Sequence, residues 1–263
     1  MIVRPVAVVR PVPDSFVSCV TSRPARPPLD PVLARQQHAG YAAALRAGGF
    51  AVHQAPMSEE HPDSPFIEDT AVVVGTRALL TRPGHPSRRG EVAAVGETLA
   101  RWVEVSRVDE GTIDGGDVLQ LGDRVLVGAS TRTDGAGIAA LTRFCAPTPV
   151  IAVPVGATLH LKSGVSALDP ETVLWHRAAC DRAALDGIRV IEVPGDDPEA
   201  ANVVRLADGS ILVGSHQTMT ADLASGRGFE VRTVDVGEFA RADGGLTCLS
   251  LRLRAVTTVS SGP

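Results

Sequence analysis

Four stretches of the chain repeat one pattern: an apolar strand, a short polar turn and a second apolar strand. They are Asp69–Thr81 (DTAVVVGTRALLT), Asp117–Gly128 (DVLQLGDRVLVG), Val165–Trp175 (VSALDPETVLW) and Asn202–Gly214 (NVVRLADGSILVG). Gly-Asp and Asp-Gly between short β-branched runs are hairpin turn chemistry. The turns centre on Gly75, Gly122, Pro170 and Asp208, in steps of 47, 48 and 38 residues. A recurrence of that length marks stacked or propeller-like modules, in which no single unit buries its apolar face alone.

Behind each hairpin comes a helical pattern and then one more strand. Val92, Val95, Leu99 and Trp102 fall on one helical face within Ser87–Arg101, ahead of strand Val103–Val108. Ile138, Leu141 and Phe144 do the same within Gly137–Phe144, ahead of Val150–Val155. Ala178–Leu185 with strand Arg189–Val193, and Gln217–Ala224 with strand Phe229–Val234, complete the third and fourth units. A fifth is assembled from both chain ends. Leu246–Arg254 supplies one strand and Val3–Val12 the next, followed by a helix over Pro31–Ala47 and strand Phe50–Pro56. That helix has Asp30 as its cap, Pro31 in its first turn and Gly48-Gly49 as its stop. The expected fold is α/β: a closed, fivefold pseudosymmetric αβ-propeller of ββαβ modules, residues 1–263 forming one domain.

The composition fits that fold and narrows its function. Hydrophobic residues make up 44% and charged residues 21%, the balance of a globular chain. The net charge of -5 comes with no basic cluster, which argues against nucleic acid as a partner. The uncharged run Cys145–Leu161 is broken by Pro147, Pro149 and Pro154, and the N-terminus is interrupted by Arg4 and Arg10. Neither a membrane span nor a signal peptide is expected. Cys19, Cys145, Cys180 and Cys248 are far apart, with no CxxC pair, so a zinc site is not indicated and a cytoplasmic setting with reduced thiols is expected. Gly135–Ala140 fits the GxGxxA pattern, but no acidic residue lies between Asp134 and Asp169 to complete a dinucleotide site.

In such a ring the first strands of the modules begin near the axis, so polar residues at their starts converge. These are Asp69, Asp114 with Asp117, His160 with Ser163, Asn202 and Cys248. Together they offer a nucleophile, an acid/base and a clamp for a cation. Singly each is weak, since a lone cysteine is usually a core thiol and His160, between two leucines, reads alone as a core histidine. Buried carboxylates are harder to dismiss, because an unpaired buried charge is costly.

The strings Phe66–Val73 (FIEDTAVV), Thr112–Leu119 (TIDGGDVL), Ser130–Gly137 (STRTDGAG), Leu159–Leu168 (LHLKSGVSAL) and Asp243–Ser250 (DGGLTCLS) follow one another in order along the modules. Together they resemble the dimethylarginine dimethylaminohydrolase family of the arginine-modifying (pentein) superfamily, over essentially the whole chain. The resemblance implies hydrolysis of N-omega-methylated arginines, a small-molecule substrate, to citrulline and an amine, with no metal and no cofactor. It implies that Cys248 attacks the guanidinium carbon, that His160 is general acid and then base, and that Asp114 helps hold the guanidinium. It further implies substrate contacts from Glu68 and Asp69, from Asp63 to the α-amine, and from Arg88 and Arg132 to the α-carboxylate. The backbone of Phe16, on a closing N-terminal loop, and contacts near Ala242 complete the pocket. Arg88 is expected at a helix N-terminus, and the substrate's positive charge and a nearby imidazolium are both expected to favour the Cys248 thiolate. Thr21–Pro28, rich in Pro and Arg, reads as an irregular lid. Two alternatives stand beside this reading: an arginine deiminase-like amidinohydrolase, for whose helical insertion the five modules leave no room, and a silent arginine-binding pentein. The oligomeric state is left open, although an apolar exposed strand would suffice to pair two rings as a homodimer.

Overall fold

The computed structural model describes residues 4–21 and 28–255, so residues 22–27 of the expected lid and Val3 of the first strand lie outside the described residues. The chain enters through β1 (Val6–Val9), crosses α1 (Pro31–Ala47) and returns in β2 (Ala51–Gln54). The α1 boundaries are those its caps require. The Asp30 carboxylate accepts the N–H of Val32 at 2.8 Å and of Leu33 at 3.1 Å, and Gly49 turns the chain away with φ of 96°.

Four hairpin modules follow. The first holds β3 (Ala71–Val74), β4 (Arg77–Leu80), α2 (Val92–Leu99) and β5 (Glu104–Arg107). The second holds β6 (Val118–Gln120), β7 (Val125–Ala129), α3 (Gly135–Cys145) and β8 (Val150–Pro154). The third has β9 (Val165–Ala167), β10 (Thr172–Trp175) and β11 (Arg189–Glu192). The fourth has β12 (Val204–Arg205), β13 (Ile211–Gly214), α4 (Thr218–Ser225) and β14 (Val231–Val234). After α5 (Gly237–Arg241), the last strand β15 (Leu251–Leu253) pairs antiparallel with β1, Val6 opposite Leu253. The seam of the ring therefore lies between the two ends of the chain, as expected.

Every module is a three-stranded sheet whose middle strand runs antiparallel to the first and parallel to the third. A parallel pair needs a crossover, which is why each second strand is followed by a helix or a helical turn. The core is divided accordingly, into apolar clusters that fill the spaces between neighbouring sheets and under the helices. With few aromatics the packing is mostly Val, Leu, Ile and Ala, apart from a Phe16, Phe66 and Phe239 cluster at the seam.

Two helix expectations need correction. Ser87–Arg101 is not one helix: Pro86–Glu91 forms a 3-10 turn and only Val92–Leu99 is α-helical, so Arg88 does not sit at an α-helix N-terminus. Ala178–Leu185 is not α-helical, and only Arg182–Leu185 forms a 3-10 turn. The carbonyls of Ala178 and Ala179 are taken by the N–H groups of Ala157 and Gly156, each at 2.7 Å, which removes them from any helix.

Candidate active site

The chain makes a 3-10 turn just ahead of each first strand. The five turns are Ile67–Thr70, Gly115–Asp117, Leu161–Ser163, Pro198–Ala201 and Leu246–Leu249. Successive turns from Leu246–Leu249 round to Pro198–Ala201 pack against one another. The remaining junction is closed by Asn202, whose Oδ1 accepts the Thr247 N–H at 3.0 Å while Nδ2 donates to Thr247 Oγ1 at 3.2 Å. The polar residues assigned to strand starts thus lie on these turns or at their edges. Close nesting depends on Gly115 and Gly116. A Cβ on Gly115 would meet Glu68 O at 2.0 Å, and one on Gly116 would meet Asp69 Oδ1 and His160 Nδ1, each at 2.7 Å.

Asp69, Asp114 and His160 are brought together, buried, with ligand atoms within 4.8 Å of one another. His160 Nε2 lies 3.0 Å from Asp114 Oδ2, and Nδ1 lies 4.0 Å from Asp69 Oδ1. Burial opposes a charge on this imidazole, but Asp69, the hydrogen bond to Asp114 and Asp117 outweigh it and hold its pKa at about 9. At neutral pH this favours the doubly protonated imidazole. Asp114 Oδ1 accepts the Gly84 N–H at 2.8 Å, and Arg132 Nη1 stands 3.7 Å from Oδ2. Asp69 Oδ1 accepts the Gly116 N–H at 2.9 Å while Oδ2 is ion-paired with Arg88. Against its burial, His160 and Arg88 draw the Asp69 carboxyl below its ordinary range.

Arg88 is buried and heavily engaged. Its Nε and Nη2 fork onto Glu91 at 3.0 and 2.8 Å, and Nη2 also donates to Phe66 O at 2.8 Å. Burial works against the guanidinium, but Glu91 and Asp69 raise its pKa well above the ordinary value. Asp63 lies behind it, with burial pushing its carboxyl up to about 6 against the pull of Arg88. The Asp63 carboxylate accepts the Val20 N–H at 3.0 Å, which fastens the end of the N-terminal loop.

Cys248 keeps part of its surface open, unlike the other three cysteines, which are buried. Burial at its sulfur, with Glu68 and Asp69 nearby, pushes the thiol up to about 12, only partly offset by a Gly245 backbone hydrogen bond and Lys162. With burial as the largest influence, the ligand-free site favours the thiol form of Cys248. Glu68 receives Lys162 Nζ at 2.7 Å and Arg252 Nη2 at 3.2 Å, both on Oε1, while its buried Oε2 has no donor among the described residues.

Phe16 is fully buried, its ring 5.5 Å from Phe239, and its N–H and C=O are used within its own turn by Pro13 and Cys19. Ala242 is buried and donates to Phe239 O at 2.9 Å, so these two residues meet through Phe239. Asp117 supports the cluster. Its Oδ2 accepts the hydroxyls of Ser130 and Thr133, each at 2.6 Å, and its Oδ1 accepts the Leu161 N–H at 3.0 Å. It therefore ties the Arg132 loop to the His160 turn. Asp117 and Asn202 stand in the polar strand-start set, but their structural duty has no signature of its own. Glu91 has only its spacing of three from Arg88 as a signal.

A family model described as arginine deiminase matches residues 56–192. The chain is 41% identical over 237 residues to the N(G),N(G)-dimethylarginine dimethylaminohydrolase of Streptomyces coelicolor, covering 87% of this chain and 89% of that protein. It is 31% identical over 226 residues to the enzyme of the same name from Pseudomonas aeruginosa, covering 83% and 88%. A solved dimethylarginine dimethylaminohydrolase adduct with S-methyl-L-thiocitrulline superposes with a TM-score of 0.89 over 95% of this chain and 100% of that one, at 28% identity.

Proposed function

Because the chain belongs to the dimethylarginine dimethylaminohydrolase family, we propose that it hydrolyses N-omega-methylated arginines to citrulline and dimethylamine or methylamine through a covalent intermediate on Cys248. The observation that carries this reading is the buried Asp69–His160–Asp114 cluster beside the Cys248 turn. A guanidinium is a delocalised cation and a poor electrophile, so carboxylates must hold it flat and fixed over the sulfur.

The order of events follows from the charges. Arrival of the substrate cation beside Cys248 lowers the thiol's pKa, and its proton leaves to solvent. The thiolate attacks the guanidinium carbon. His160, already protonated, gives its proton to the departing amine as the carbon–nitrogen bond breaks, leaving an S-alkylthiouronium. Neutral His160 then takes a proton from water, which adds to the same carbon, and the carbon–sulfur bond breaks to release citrulline. Glu68 Oε2, buried and without a donor, is suited to accept a substrate N–H. Arg132 takes the α-carboxylate. Arg88 joins it by giving up Asp69 to the incoming guanidinium, an exchange of ion pairs. Asp63 receives the α-amine, and Phe16 and Ala242 supply the wall on either side of Phe239.

All five modules serve this as one catalytic domain. Among the described residues no helix is long and apolar enough to cross a membrane, and the wide spacing of the cysteines, with no CxxC pair, fits a reducing, cytoplasmic setting.

The matched family model carries the arginine deiminase description, which makes release of ammonia from arginine the second reading. Asp69 and Asp114 accept from unmethylated nitrogens, so an apolar wall around the third nitrogen gains ~0.8 kcal/mol per methyl and favours the dimethylated substrate about tenfold. Kinetics on asymmetric dimethylarginine, monomethylarginine and arginine, reading citrulline together with the released amine, decide it. Higher kcat/KM on arginine, with no dimethylamine formed, overturns the first reading. No turnover of any of the three leaves a binding protein.

A further inference from the structure

The ring holds a cavity on its axis, about 460 Å³ in volume and walled by the first strands β3, β6, β9, β12 and β15. Cys248, His160, Asp114 and Asp69 do not line it. Its inner end is the Glu68–Lys162 ion pair, so it backs onto the catalytic pocket without sharing its reacting groups.

Its charge is unbalanced. Lys162, Arg205, Arg252 and Arg254 line it against two carboxylates, Glu68 and Asp169. Glu68 is shared by Lys162 and Arg252 through a single oxygen, and Asp169 Oδ1 is used by the Glu171 N–H of its own turn at 2.8 Å. Among the described residues neither Arg205 nor Arg254 has a carboxylate partner. Arg254 donates to the backbone carbonyls of Leu206 and Arg205 at 3.3 and 2.7 Å and lies over the Phe50 ring at 5.7 Å. Packing accounts for Arg254 in part, but nothing comparable holds Arg205. Burial, Arg252 and Arg205 together depress the Arg254 pKa to about 10, the mark of a positive field without a counter-ion.

We propose that this cavity binds a small multivalent oxyanion, a polycarboxylate or a phosphate, held by Arg205, Arg252 and Arg254 with Lys162 at its inner end. Guanidinium forks match the paired oxygens of such groups, and the volume lies within the range of small-ligand pockets. An occupant would draw Lys162 and Arg252 partly away from Glu68, so it would also be felt on the catalytic side.

The test is thermal unfolding of the full chain in citrate and, separately, in inorganic phosphate, each against sodium chloride of equal ionic strength. A saturable rise in Tm of about 2–4 °C is expected for at least one anion. Which anion acts distinguishes the carboxylate source from the phosphate source. Arg205→Ala should lose most of the rise, and Arg205→Lys, which keeps the charge but not the fork, should retain part of it. Anion-free citrulline formation by both variants should match the parent. A rise no larger than in chloride, one that never saturates, or one that persists undiminished in Arg205→Ala overturns the proposal. Should Arg205→Ala unfold, calorimetric titration of the parent and of Arg205→Lys with citrate and phosphate replaces it, and absence of saturable heat in the parent overturns it equally.

Discussion

On the proposed mechanism, the proton on His160 serves both the chemistry and the fold. With its pKa at about 9, the acid form is lost above that pH, so kcat should fall as pH rises through about 9. Asp63, pushed up to about 6, loses its charge as pH falls through that value, so KM for the amino acid should rise below about pH 6. A pH series of kcat and KM reads both limbs, and a kcat that is flat to pH 10 would remove His160 as the acid. The raised His160 pKa also stabilises the fold. That contribution is complete below the ordinary histidine value of 6.5 and lost as pH climbs through about 9, on the order of 3 kcal/mol in all. Denaturant titrations of the parent and His160→Asn should therefore show a gap that narrows across this window. Cys248→Ser should abolish turnover and leave the unfolding midpoint almost unchanged, because an alcohol is too weak an acid to supply the nucleophile. That Asp69, Asp114 and His160 converge was legible in the sequence. Protonation was not: the Cys248 thiol is set by burial and by two carboxylates that only the folded ring brings near. Nor was the Arg88–Asp69 pair, whose members are 19 residues apart and meet through tertiary packing.

The five 3-10 turns, rather than the strands themselves, place the site. Gly116→Ala tests this directly. Its Cβ would press on Asp69 and His160 at once, so kcat should fall by about a hundredfold or more for a stability cost of about 1–3 kcal/mol. Near-parental kcat in a folded Gly116→Ala protein would show that the turn has slack the structure does not indicate. Strand pairing followed from the paired apolar runs and the turn residues between them, and α1 from its caps. The missing third helix did not, because Ala178–Leu185 has helical composition. Its neighbours decide otherwise: Gly156 and Ala157 claim its first carbonyls, Asp181 caps a shorter turn, and Gly187, at φ of 77°, ends it.

At the scale of the molecule, closure rests on two joints: the β1–β15 pairing at the seam and the Asn202–Thr247 bonds between the fourth and fifth modules. Asn202→Ala leaves the Thr247 N–H without its acceptor and should cost about 1–3 kcal/mol, lowering Tm by roughly 2–4 °C per kcal/mol. Because Thr247 precedes the nucleophile, kcat should fall as well. Loss of stability with undiminished kcat would confine Asn202 to a scaffold role. The seam was visible in the sequence, since four complete modules leave one strand at one end and a strand, helix and strand at the other. It also sets a timetable. A ribosome delivers Val6–Val9 well ahead of Leu251–Leu253, so this pairing must wait for all four hairpin modules between them. The nucleophile arrives with β15. A nascent chain therefore acquires its reactive sulfur and the strand that seals the ring almost together, and unfinished chains carry an open ring without its nucleophile.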